Sequence, residues 1–564
     1  MIRFKSIALI IVIIQILFSC KTEKSDVDMI LTNGFIYTVD SNFTIAEAMA
    51  INNGTVVATG KAAYIHGHYK AEQVINLNGK TILPGFTDAH CHFVGYALSL
   101  MRANLVGTKS FNEVIQKTVE FASKHPIDGG IQLPDSSVQW ILGRGWDQNN
   151  WPDKQWPDKA KLDSLYPSTP VLLTRIDGHA ALANSKALEI AGITANTKVS
   201  GGEILMKNGQ PTGVLIDNAV DIVSSHIPPP NRSEVKKALL LAQENCLAFG
   251  LTSLHEAGLM KADVDLLDAM QQQDKLKLRF YVMLSDSQPN FDYYLTNGPY
   301  QTDRMNVRSF KLYADGALGS RGACLLEPYN DSKQSSGFLL SSPDHFEKRC
   351  TEAIAKGFQV NTHCIGDSAY RLMLSLYRKA GADSSHRWRI EHAQITHPSD
   401  IRRSKHIVPS VQPTHATSDM YWATQRIGKR AKYAYAYKSL LNASGMVALG
   451  TDFPVEDISP FKTFYAAVSR KDIEGYPIGG FQPQEALTRE ETLMGMTIWP
   501  AKAAFEEKQK GSLEKGKVAD FVILDRNIMT STERDILKTR VLRVFIGGEL
   551  VFDIERKGSA EYQF

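Results

Sequence analysis

Residues 81–93, TILPGFTDAHCHF, join an apolar run to two histidines that stand where the run ends. In a β-strand, alternate side chains point to the same face, so His90 and His92 would project together while Cys91 points away. Neutral imidazole nitrogens bind transition metals readily, so this pair predicts part of a metal site. A short His-x-His pattern also occurs at solvated strand ends, and the rest of the chain has to decide between the two interpretations.

Seven later runs have the same character: each is strand-like and apolar, and most carry polar or histidine residues at the end. They are GLTSLHEAG (250–258), LRFYVML (278–284), VRSFKLYADG (307–316), GFQVNTHCIGD (357–367), RWRIEHAQ (387–394), IVPSVQPTHA (407–416) and GMVALGTDFP (445–454). Helix-like stretches separate the runs, and this alternation predicts a parallel sheet. Eight such units predict a closed α/β barrel over residues 84–500.

Two kinds of segment do not fit the alternation. Residues 28–83 and 501–556 read as short strands and turns, with Asn-Gly pairs that predict hairpins at 33–34, 53–54 and 78–79. We expect the two chain ends to form one small β-domain. The stretch of about residues 100–245 is too long for a simple crossover, so it predicts an inserted subdomain that covers the barrel mouth, and GGEILMKNGQPTGVL (201–215) within it reads as a hairpin.

The composition excludes several classes of protein. The chain has 564 residues and a formal net charge of +3, with 43% hydrophobic and 22% charged residues. No long basic run is present, so nothing points to nucleic acid as a partner. The expected partner is a small-molecule substrate, and association into a homo-oligomer is left open.

The N-terminus carries a targeting signal. Two basic residues precede the apolar run SIALIIVIIQILFS (6–19), which is too short for a typical membrane span and has the form of a signal peptide. It ends in LFSC, which resembles a bacterial lipobox. We expect residues 1–19 to be removed, Cys20 to be lipidated, and residues 20–27 to act as a tether at the bacterial cell envelope. An ordinary signal peptide and an uncleaved anchor helix are the alternatives.

The polar ends of the barrel strands predict one site, because such ends gather at the C-terminal face of a barrel of this type. Six of the 15 histidines fall at predicted strand ends. The side chains that would converge are His90, His92, His255, Lys311, His363, His392, His415 and Asp452. Imidazoles and a carboxylate suit a metal ion with an open position for water, and we expect one or two divalent ions, most simply zinc.

Lys311 is the unusual member of this set, because an ammonium group repels metal ions. As a carbamate formed with CO2 it would become a bridging ligand between two ions. Alternatively it is an ion-pair partner of a carboxylate such as Asp315 or Glu391.

Six segments together resemble the amidohydrolase superfamily, and most closely its family 3 branch, which includes proteins similar to N-substituted formamide deformylase. They are PGFTDAHCHF (84–93), KLYADGALGSRGA (311–323), NTHCIGDSA (361–369), RIEHAQ (389–394), QPTHATSD (412–419) and LGTDFPVE (449–456). The resemblance implies a distorted (β/α)8 TIM barrel with a β-sandwich built from both chain ends. It also implies metal-dependent hydrolysis of a carbon–nitrogen bond other than a peptide bond.

Carried over position by position, the resemblance assigns the metal ligands His90, His92, Lys311, His363, His392 and Asp452, with Lys311 at the position that is carboxylated in binuclear members. Asp452 would also be the catalytic base. Deamination, ester hydrolysis or isomerisation at the same site remains an alternative, as does a lipid-tethered binding protein without catalysis.

Other polar residues are candidates for substrate contact. His179 lies in the insertion, and His255, Arg321 and His415 lie near predicted strand ends. Structural hydrogen bonding explains each of them nearly as well. The same two interpretations apply to the insertion residues Trp146, Asp147, Trp151, Arg175, Asp177 and Asn184.

Overall fold

The structure is a computed structural model that describes residues 24–124, 140–228 and 232–556. Cys20 and the apolar segment before it lie outside these residues, so lipidation stays a prediction. Within the described ranges, no helix combines the length and the apolar character needed to cross a membrane.

The strands are numbered in chain order. The N-terminal strands are β1 (Ser25–Tyr37), β2 (Ile45–Asn52), β3 (Thr55–Gly60), β4 (Tyr69–Asn76), β5 (Thr81–Pro84) and β6 (Phe86–Cys91). The insertion contains β7 (Ala103–Asn104), β8 (Ile141–Trp146), β9 (Val171–Arg175), β10 (Ala180–Ala183), β11 (Gly202–Lys207) and β12 (Gln210–Asp217). The remaining strands are β13 (Leu251–Leu259), β14 (Arg279–Ser285), β15 (Tyr300–Gln301), β16 (Met305–Tyr313), β17 (Gln359–Cys364), β18 (Arg389–His392), β19 (Val408–Val411), β20 (Ala448–Leu449), β21 (Phe521–Leu524), β22 (Val541–Ile546) and β23 (Glu549–Asp553).

The α-helices fall mainly between the barrel strands. The first ten are α1 (Ala62–His68), α2 (Phe93–Ser99), α3 (Phe111–Lys124), α4 (Ala160–Leu165), α5 (Ser185–Ile190), α6 (Asn218–Ser224), α7 (Arg232–Ala248), α8 (Lys261–Gln272), α9 (Gln288–Asn297) and α10 (Pro343–Ala355). The others are α11 (Asp367–Lys379), α12 (Pro398–Ile401), α13 (Pro413–Asp419), α14 (Ala423–Ile427), α15 (Tyr437–Ser444), α16 (Pro460–Ser469), α17 (Arg489–Gly495), α18 (Ile498–Ala503) and α19 (Glu533–Ile536). Short 3-10 helices lie at Gln148–Asn150, Ser404–His406, Gly428–Tyr433 and Pro483–Glu485.

The barrel prediction is confirmed. Its eight parallel strands follow the order β6-β13-β14-β16-β17-β18-β19-β20, and they are the eight apolar runs identified in the sequence. Hydrogen bonds join the first strand to the segment after the last: the Asp452 N–H donates to the His90 carbonyl at 2.7 Å, and the His92 N–H to the Phe453 carbonyl at 2.8 Å. These contacts bring the histidine-bearing end of β6 beside Asp452.

Both chain ends join in one sheet, as predicted. Its order is β23-β22-β21-β5-β1-β2-β3, with β4 also paired to β1, and Met29, Leu31, Phe521 and Phe545 are part of its buried core. This sheet is the β-sandwich-like domain beside the barrel.

Only one of the three Asn-Gly pairs predicted in this domain forms a hairpin. Residues 53–54 connect the antiparallel strands β2 and β3, whereas Asn33 lies inside β1 with a φ of 61°, at a break in the β1–β2 register. Residues 78–79 separate β4 from β5, which both run parallel to β1. A left-handed residue also suits a bulge, so Asn-Gly alone did not fix the connection.

The predicted insertion has its own sheet, with the order β11-β12-β10-β9-β8-β7. Its hairpin was also predicted: β11 and β12 pair antiparallel around residues 208–209, where Asn208 and Gly209 have φ values of 52° and 76°. The insertion contributes residues to the cavity at the barrel mouth, as described below.

Candidate metal centre and cavity

The pair of histidines that ends β6 has the arrangement predicted from strand alternation. Nε2 of His92 lies 3.2 Å from Oδ1 of Asp452, and Nε2 of His90 lies 3.6 Å from the same oxygen. Cys91 points away, into the hydrophobic core. The three side chains His90, His92 and Asp452 bring one ligand atom each to within 4.8 Å of one another.

A second group shares the same carboxylate. His392, His415 and Asp452 also bring their ligand atoms within 4.8 Å of one another. His415 was expected to contact substrate, but Nε2 of His415 lies 3.7 Å from Oδ2 of Asp452. Two groups that share one carboxylate are compatible with one ion or with two adjacent ions.

His363 lies beside these groups without belonging to either. Its ring packs edge-on against His392 with 4.5 Å between centroids, and its Nε2 lies 3.7 Å from Oδ1 of Asp315. Asp315 itself accepts hydrogen bonds from the backbone N–H groups of Ile365 and Gly366, at 3.0 and 2.8 Å. The predicted role of His363 as a ligand therefore stays a prediction.

Several ligand atoms at the site have no well-directed partner in the protein. Nε2 of His363, Nε2 of His415 and Oδ1 of Asp452 are buried without a hydrogen bond to any described residue. Buried polar atoms are nearly always satisfied, so unpaired nitrogen and carboxylate atoms that converge on one place fit a divalent cation. Burial, with the charge of Lys311, lowers the pKa of His90 to about 4, which keeps the imidazole neutral as a metal ligand must be.

Glu391 orients His90. Its Oε2 lies 2.5 Å from Nδ1 of His90, and its two oxygens accept from Nε and Nη2 of Arg389 at 2.7 and 2.9 Å. All three side chains are fully buried. Burial opposes ionisation of Glu391, but Arg389 and His90 outweigh it and hold the pKa of this carboxyl well below its usual range. A carboxylate on Nδ1 fixes the tautomer that presents Nε2 to a metal.

Two more contacts position the ligands. Nδ1 of His392 lies 2.8 Å from Oε1 of Gln412, and Asp88 accepts from the hydroxyl of Thr451 at 2.7 Å and from the His90 N–H at 3.1 Å. His392 and Asp452 both have left-handed backbones, with φ values of 67° and 62°. Such strain in residues other than glycine persists where the surroundings fix it, and it often marks functional sites.

Lys311 lies fully buried beneath the ligands, with Nζ 3.2 Å from Nε2 of His90. Among the described residues, neither Asp315 nor Glu391 forms an ion pair with it, because Glu391 is bound by Arg389 and His90. The ion-pair alternative for Lys311 thus finds no direct contact with either carboxylate, although Glu391 and Asp452 act on its charge, and both interpretations stay predictions. Burial lowers the pKa of Lys311 to about 8, which raises the share of neutral amine, the form that reacts with CO2.

A cavity of about 760 Å³ opens above this centre, and its wall includes residues of both the barrel and the insertion. His179 lines it, as predicted. Nδ1 of His179 lies 2.7 Å from Oδ1 of Asp217, and Asp217 lies against Gly316 and Gly322, where an added Cβ would come within 2.6 Å of its carboxylate oxygens. Burial disfavours the charged ring, but Asp217 outweighs burial and raises the pKa of His179 to about 8.

Two predicted substrate contacts lie elsewhere. His255 is fully buried inside β13, which continues four residues beyond it, and its Nδ1 lies 2.9 Å from Nη1 of Arg389. Arg321 pairs with Asp331 at 3.0 Å. Neither residue lines the cavity. Neither the cavity nor these contacts support a substrate contact at His255 or Arg321, and that role stays a prediction.

The other insertion candidates divide between packing and the cavity wall. Trp146 and Trp151 belong to the core of the insertion, and Asn184 caps α5 by accepting from the Ala187 N–H. Arg175 is buried between Asp147 and Asp177 and donates to both. Asp147, Arg175 and Asp177 also border the cavity.

Sequence reasoning missed the residues that hold the ligands in place. Glu391 entered only as an ion-pair partner for Lys311, and Asp88, Asp217 and Gln412 did not enter at all. For Glu391 a signal was present. It stands next to the predicted ligand His392 in RIEHAQ, and strand alternation places its side chain on the same face as Arg389. For Asp217 none was, because its partner His179 lies 38 residues away, in the turn between β9 and β10.

Comparisons with known proteins agree with this geometry. Residues 73–552 match the model of the amidohydrolase family. The chain is 33% identical over 547 residues to the protein LONG AFTER FAR-RED 3 of Arabidopsis thaliana, covering 93% of this chain and 91% of that protein. It is 25% identical over 557 residues to N-substituted formamide deformylase of Arthrobacter pascens, covering 94% and 99%.

A solved structure is also similar. An uncharacterized metal-dependent hydrolase of Pyrococcus furiosus superimposes with a TM-score of 0.68 at 28% identity, covering 89% of this chain and all of that one. The family match spans the barrel, the insertion and the C-terminal strands of the flanking sheet, including every predicted metal ligand. With the strand order and the histidine–aspartate centre, it shows that this chain belongs to the amidohydrolase family.

Proposed function

We propose that this chain is a metal-dependent hydrolase that cleaves a non-peptide carbon–nitrogen bond of the amide or formamide type with water. The observation that carries the proposal is the pair of histidine groups that share Asp452 on the floor of a cavity large enough for a small molecule. The similarity to N-substituted formamide deformylase over nearly the whole of both chains supports the bond type.

The donor set favours zinc. Imidazole nitrogens with one carboxylate are a common zinc environment, whereas magnesium and calcium favour oxygen ligands. His90, His92, His392, His415 and Asp452 would hold the ion or ions, with His363 and a carboxylated Lys311 as further ligands. When bound, a divalent ion would supply Lewis acidity toward the carbonyl oxygen and lower the pKa of water.

The residues of the chain supply the proton transfers. Asp452 is the base: it takes a proton from the attacking water while the water oxygen bonds to the carbonyl carbon. The C–N bond then breaks, and Asp452 returns that proton to the leaving nitrogen. Attack of water on an electrophilic carbon is also the first step of deamination and of ester hydrolysis, which remain the alternative reactions.

His179 is placed to contact the substrate carbonyl from the insertion side. Asp217 engages its Nδ1 and so leaves Nε2 as the ring nitrogen that is free for a ligand in the cavity. A hydrogen-bond donor that is held in place in this way stabilises the negative charge that develops on the carbonyl oxygen. The insertion would thus take part in catalysis as well as covering the barrel mouth.

The experiment is an activity screen of the metal-loaded protein with N-formyl, N-acyl and cyclic amides, run with and without a chelator. We expect turnover of at least one class, loss of turnover with the chelator and recovery on adding zinc. A protein that binds stoichiometric zinc but hydrolyses esters alone would support the alternative reaction. A protein that binds no metal and turns over no substrate would support the non-catalytic binding protein.

We also propose that the protein is anchored at the bacterial cell envelope through lipid on Cys20. The basic start, the short apolar run and LFSC at residues 17–20 support this. Cys20→Ala should release the protein from the membrane fraction and block processing of residues 1–19. Unchanged fractionation and processing would contradict the lipid anchor.

A further inference from the structure

Two arginines border the cavity near the junction of barrel and insertion. Arg102 lies between α2 and β7, at the start of the insertion, and Arg144 lies on β8. Both are partly buried. Arg144 and Asp452 line the same cavity, and Asp177 and Asp452 are the carboxylates that act on the guanidinium of Arg144.

Other charges of the cavity wall are paired. Arg175 pairs with both Asp147 and Asp177, and Lys462 pairs with Asp457 at 2.5 Å. Asp147, Asp177 and Asp457 are therefore in direct contact with cations other than Arg102 and Arg144. Arg175 carries one charge against two carboxylates, and Asp177 also acts on Arg144 from a longer distance.

Two further carboxylates at the wall are engaged by neutral partners. Asp419 accepts from the hydroxyl of Tyr435 at 2.8 Å, and burial raises its pKa to about 7. Glu456 accepts from the hydroxyl of Ser418 at 2.6 Å, and burial raises its pKa as well. Neither Asp419 nor Glu456 forms an ion pair with Arg102 or Arg144 among the described residues.

Neither Arg102 nor Arg144 forms an ion pair within 4.0 Å over residues 24–124, 140–228 and 232–556. Asp177 and Asp452 act on Arg144 from beyond that distance, and no carboxylate of the described residues acts on Arg102. Arg144 donates from Nη2 to the Ile176 carbonyl at 2.7 Å, while its Nε is buried without a partner. Burial and the nearby charge of Arg102 lower the pKa of Arg144, but only to about 10, so both stay charged at neutral pH.

The backbone of β8 is shaped around Arg144. The register between β8 and β9 shifts between Arg144 and Trp146, and Gly145 between them has a φ of 119°. A Cβ on Gly145 would lie 2.6 Å from the backbone nitrogen of Val106, so only glycine fits. Bulges of this kind redirect a side chain, and here the bulge leaves Trp146 in the insertion core and Arg144 at the cavity.

We propose that Arg102 and Arg144 form an anion subsite that binds a carboxylate on the substrate, away from the amide that is cleaved. This inference rests on the proposed function and names the class of substrate: a small N-formyl or N-acyl compound that carries a carboxylate. Burying a guanidinium without an ion-pair partner costs free energy unless a ligand supplies the opposite charge and the hydrogen-bond acceptors. The planar guanidinium matches a carboxylate through two parallel hydrogen bonds.

The test compares two substrates that differ by one group, N-formylphenylalanine as both enantiomers and N-formylphenethylamine, which lacks the carboxylate. The full metal-loaded chain should prefer the acid in kcat/KM. Arg144→Gln and Arg102→Gln should each lower that preference about 10- to 100-fold, mainly through KM, as expected for a lost charge-assisted hydrogen bond. Arg144→Lys keeps the charge but not the planar guanidinium, and it should lose less of the preference for the acid than Arg144→Gln does.

The matched control is Arg403→Gln, which removes the same charge from a residue outside the cavity that pairs with Asp400 at 2.8 Å. It should leave the preference unchanged. A preference that survives both Arg144→Gln and Arg102→Gln in folded protein would overturn the subsite, since the carboxylate would then bind elsewhere, for example at the metal. If Arg144→Gln fails to fold, Arg102→Gln and Arg144→Lys decide.

Binding measurements separate failure of the subsite from failure of the hydrolase. If the wild type cleaves neither compound, calorimetry measures the binding of each. Carboxylate-dependent binding that Arg144→Gln and Arg102→Gln abolish would support the subsite while the proposed hydrolysis of these amides fails. If the acid binds equally well to the wild type and to both glutamine variants, or if the acid does not bind at all, the subsite would be overturned.

Discussion

Glu391→Gln tests whether a buried carboxylate prepares His90 for metal binding. The change keeps the shape of the side chain and removes its charge. In the wild type, Glu391 makes three short contacts, one to His90 at 2.5 Å and two to Arg389 at 2.7 and 2.9 Å, with all three side chains buried. The single amide oxygen of glutamine can replace only one of the two carboxylate oxygens. Its amide group then points toward Arg389, or toward both His90 and Arg389, which also donate.

Two magnitudes follow from this geometry. Loss of a carboxylate behind a histidine ligand typically lowers metal affinity about 10- to 100-fold, or about 1.4–2.8 kcal/mol. Removing one partner of a buried ion pair costs about 3–5 kcal/mol of stability, because the other charge stays buried. Arg389 keeps hydrogen bonds to the Ala89 carbonyl and the Ser410 hydroxyl, at 2.6 and 2.8 Å, so we expect the lower end of that range.

The assays are competition with a chelator of known zinc affinity and denaturant unfolding of the metal-free protein. The matched control is Glu507→Gln, because Glu507 pairs with Arg387 through two contacts of 2.8 and 2.9 Å but is partly exposed. The control should cost less than about 1 kcal/mol and leave metal affinity unchanged. Glu391→Gln with metal affinity within twofold of the wild type and unchanged stability would refute the reasoning.

Three further predictions concern single residues. Asp452→Asn should keep most of the metal but lose about 10²- to 10⁴-fold in kcat, because an amide cannot accept the proton; near-wild-type turnover would contradict its role as the base. Lys311→Ala should lower metal stoichiometry and activity, and short carboxylic acids should partly restore both; unchanged stoichiometry would exclude a ligand role. Burial raises the pKa of Glu256 from 4.5 to about 8, so the folded wild type holds a proton that the unfolded chain releases, and its stability should fall as pH rises from about 5 to 8. Glu256→Gln should reduce that fall in thermal unfolding measured across this range, and the remainder should come from Asp88, Asp315 and Asp419, whose pKa burial raises to about 7. An equal fall in both proteins would exclude a contribution from Glu256.

The sequence predicted the barrel well because each strand carries its own local signal. A buried parallel strand is a short apolar run, and eight of these recur between helix-like stretches. The His90 and His92 arrangement was equally local, since alternation along one strand places both side chains. The hairpin at residues 208–209 followed from turn chemistry in the same way.

The errors arose where distant parts of the chain decide the outcome. His255 was placed at a strand end, but β13 runs on to Leu259, with a bulge at Gly258, whose φ is 90°. His255 therefore lies deeper in the barrel, against Arg389. The contact between His90 and Glu391 joins residues 301 positions apart, and no local pattern predicts such a pair.

The most direct test of the account is metal analysis of the purified protein beside the double variant His90→Ala with His92→Ala. Elemental analysis of the wild type should give one or two zinc ions per chain, and calorimetric titration of the metal-free protein should show the same number. The double variant should lose the ion bound by His90, His92 and Asp452 and lose turnover, while circular dichroism shows that the barrel is folded. A double variant that keeps full zinc occupancy, or a wild type that binds no divalent ion, would contradict the central claim that these strand ends form a metal centre.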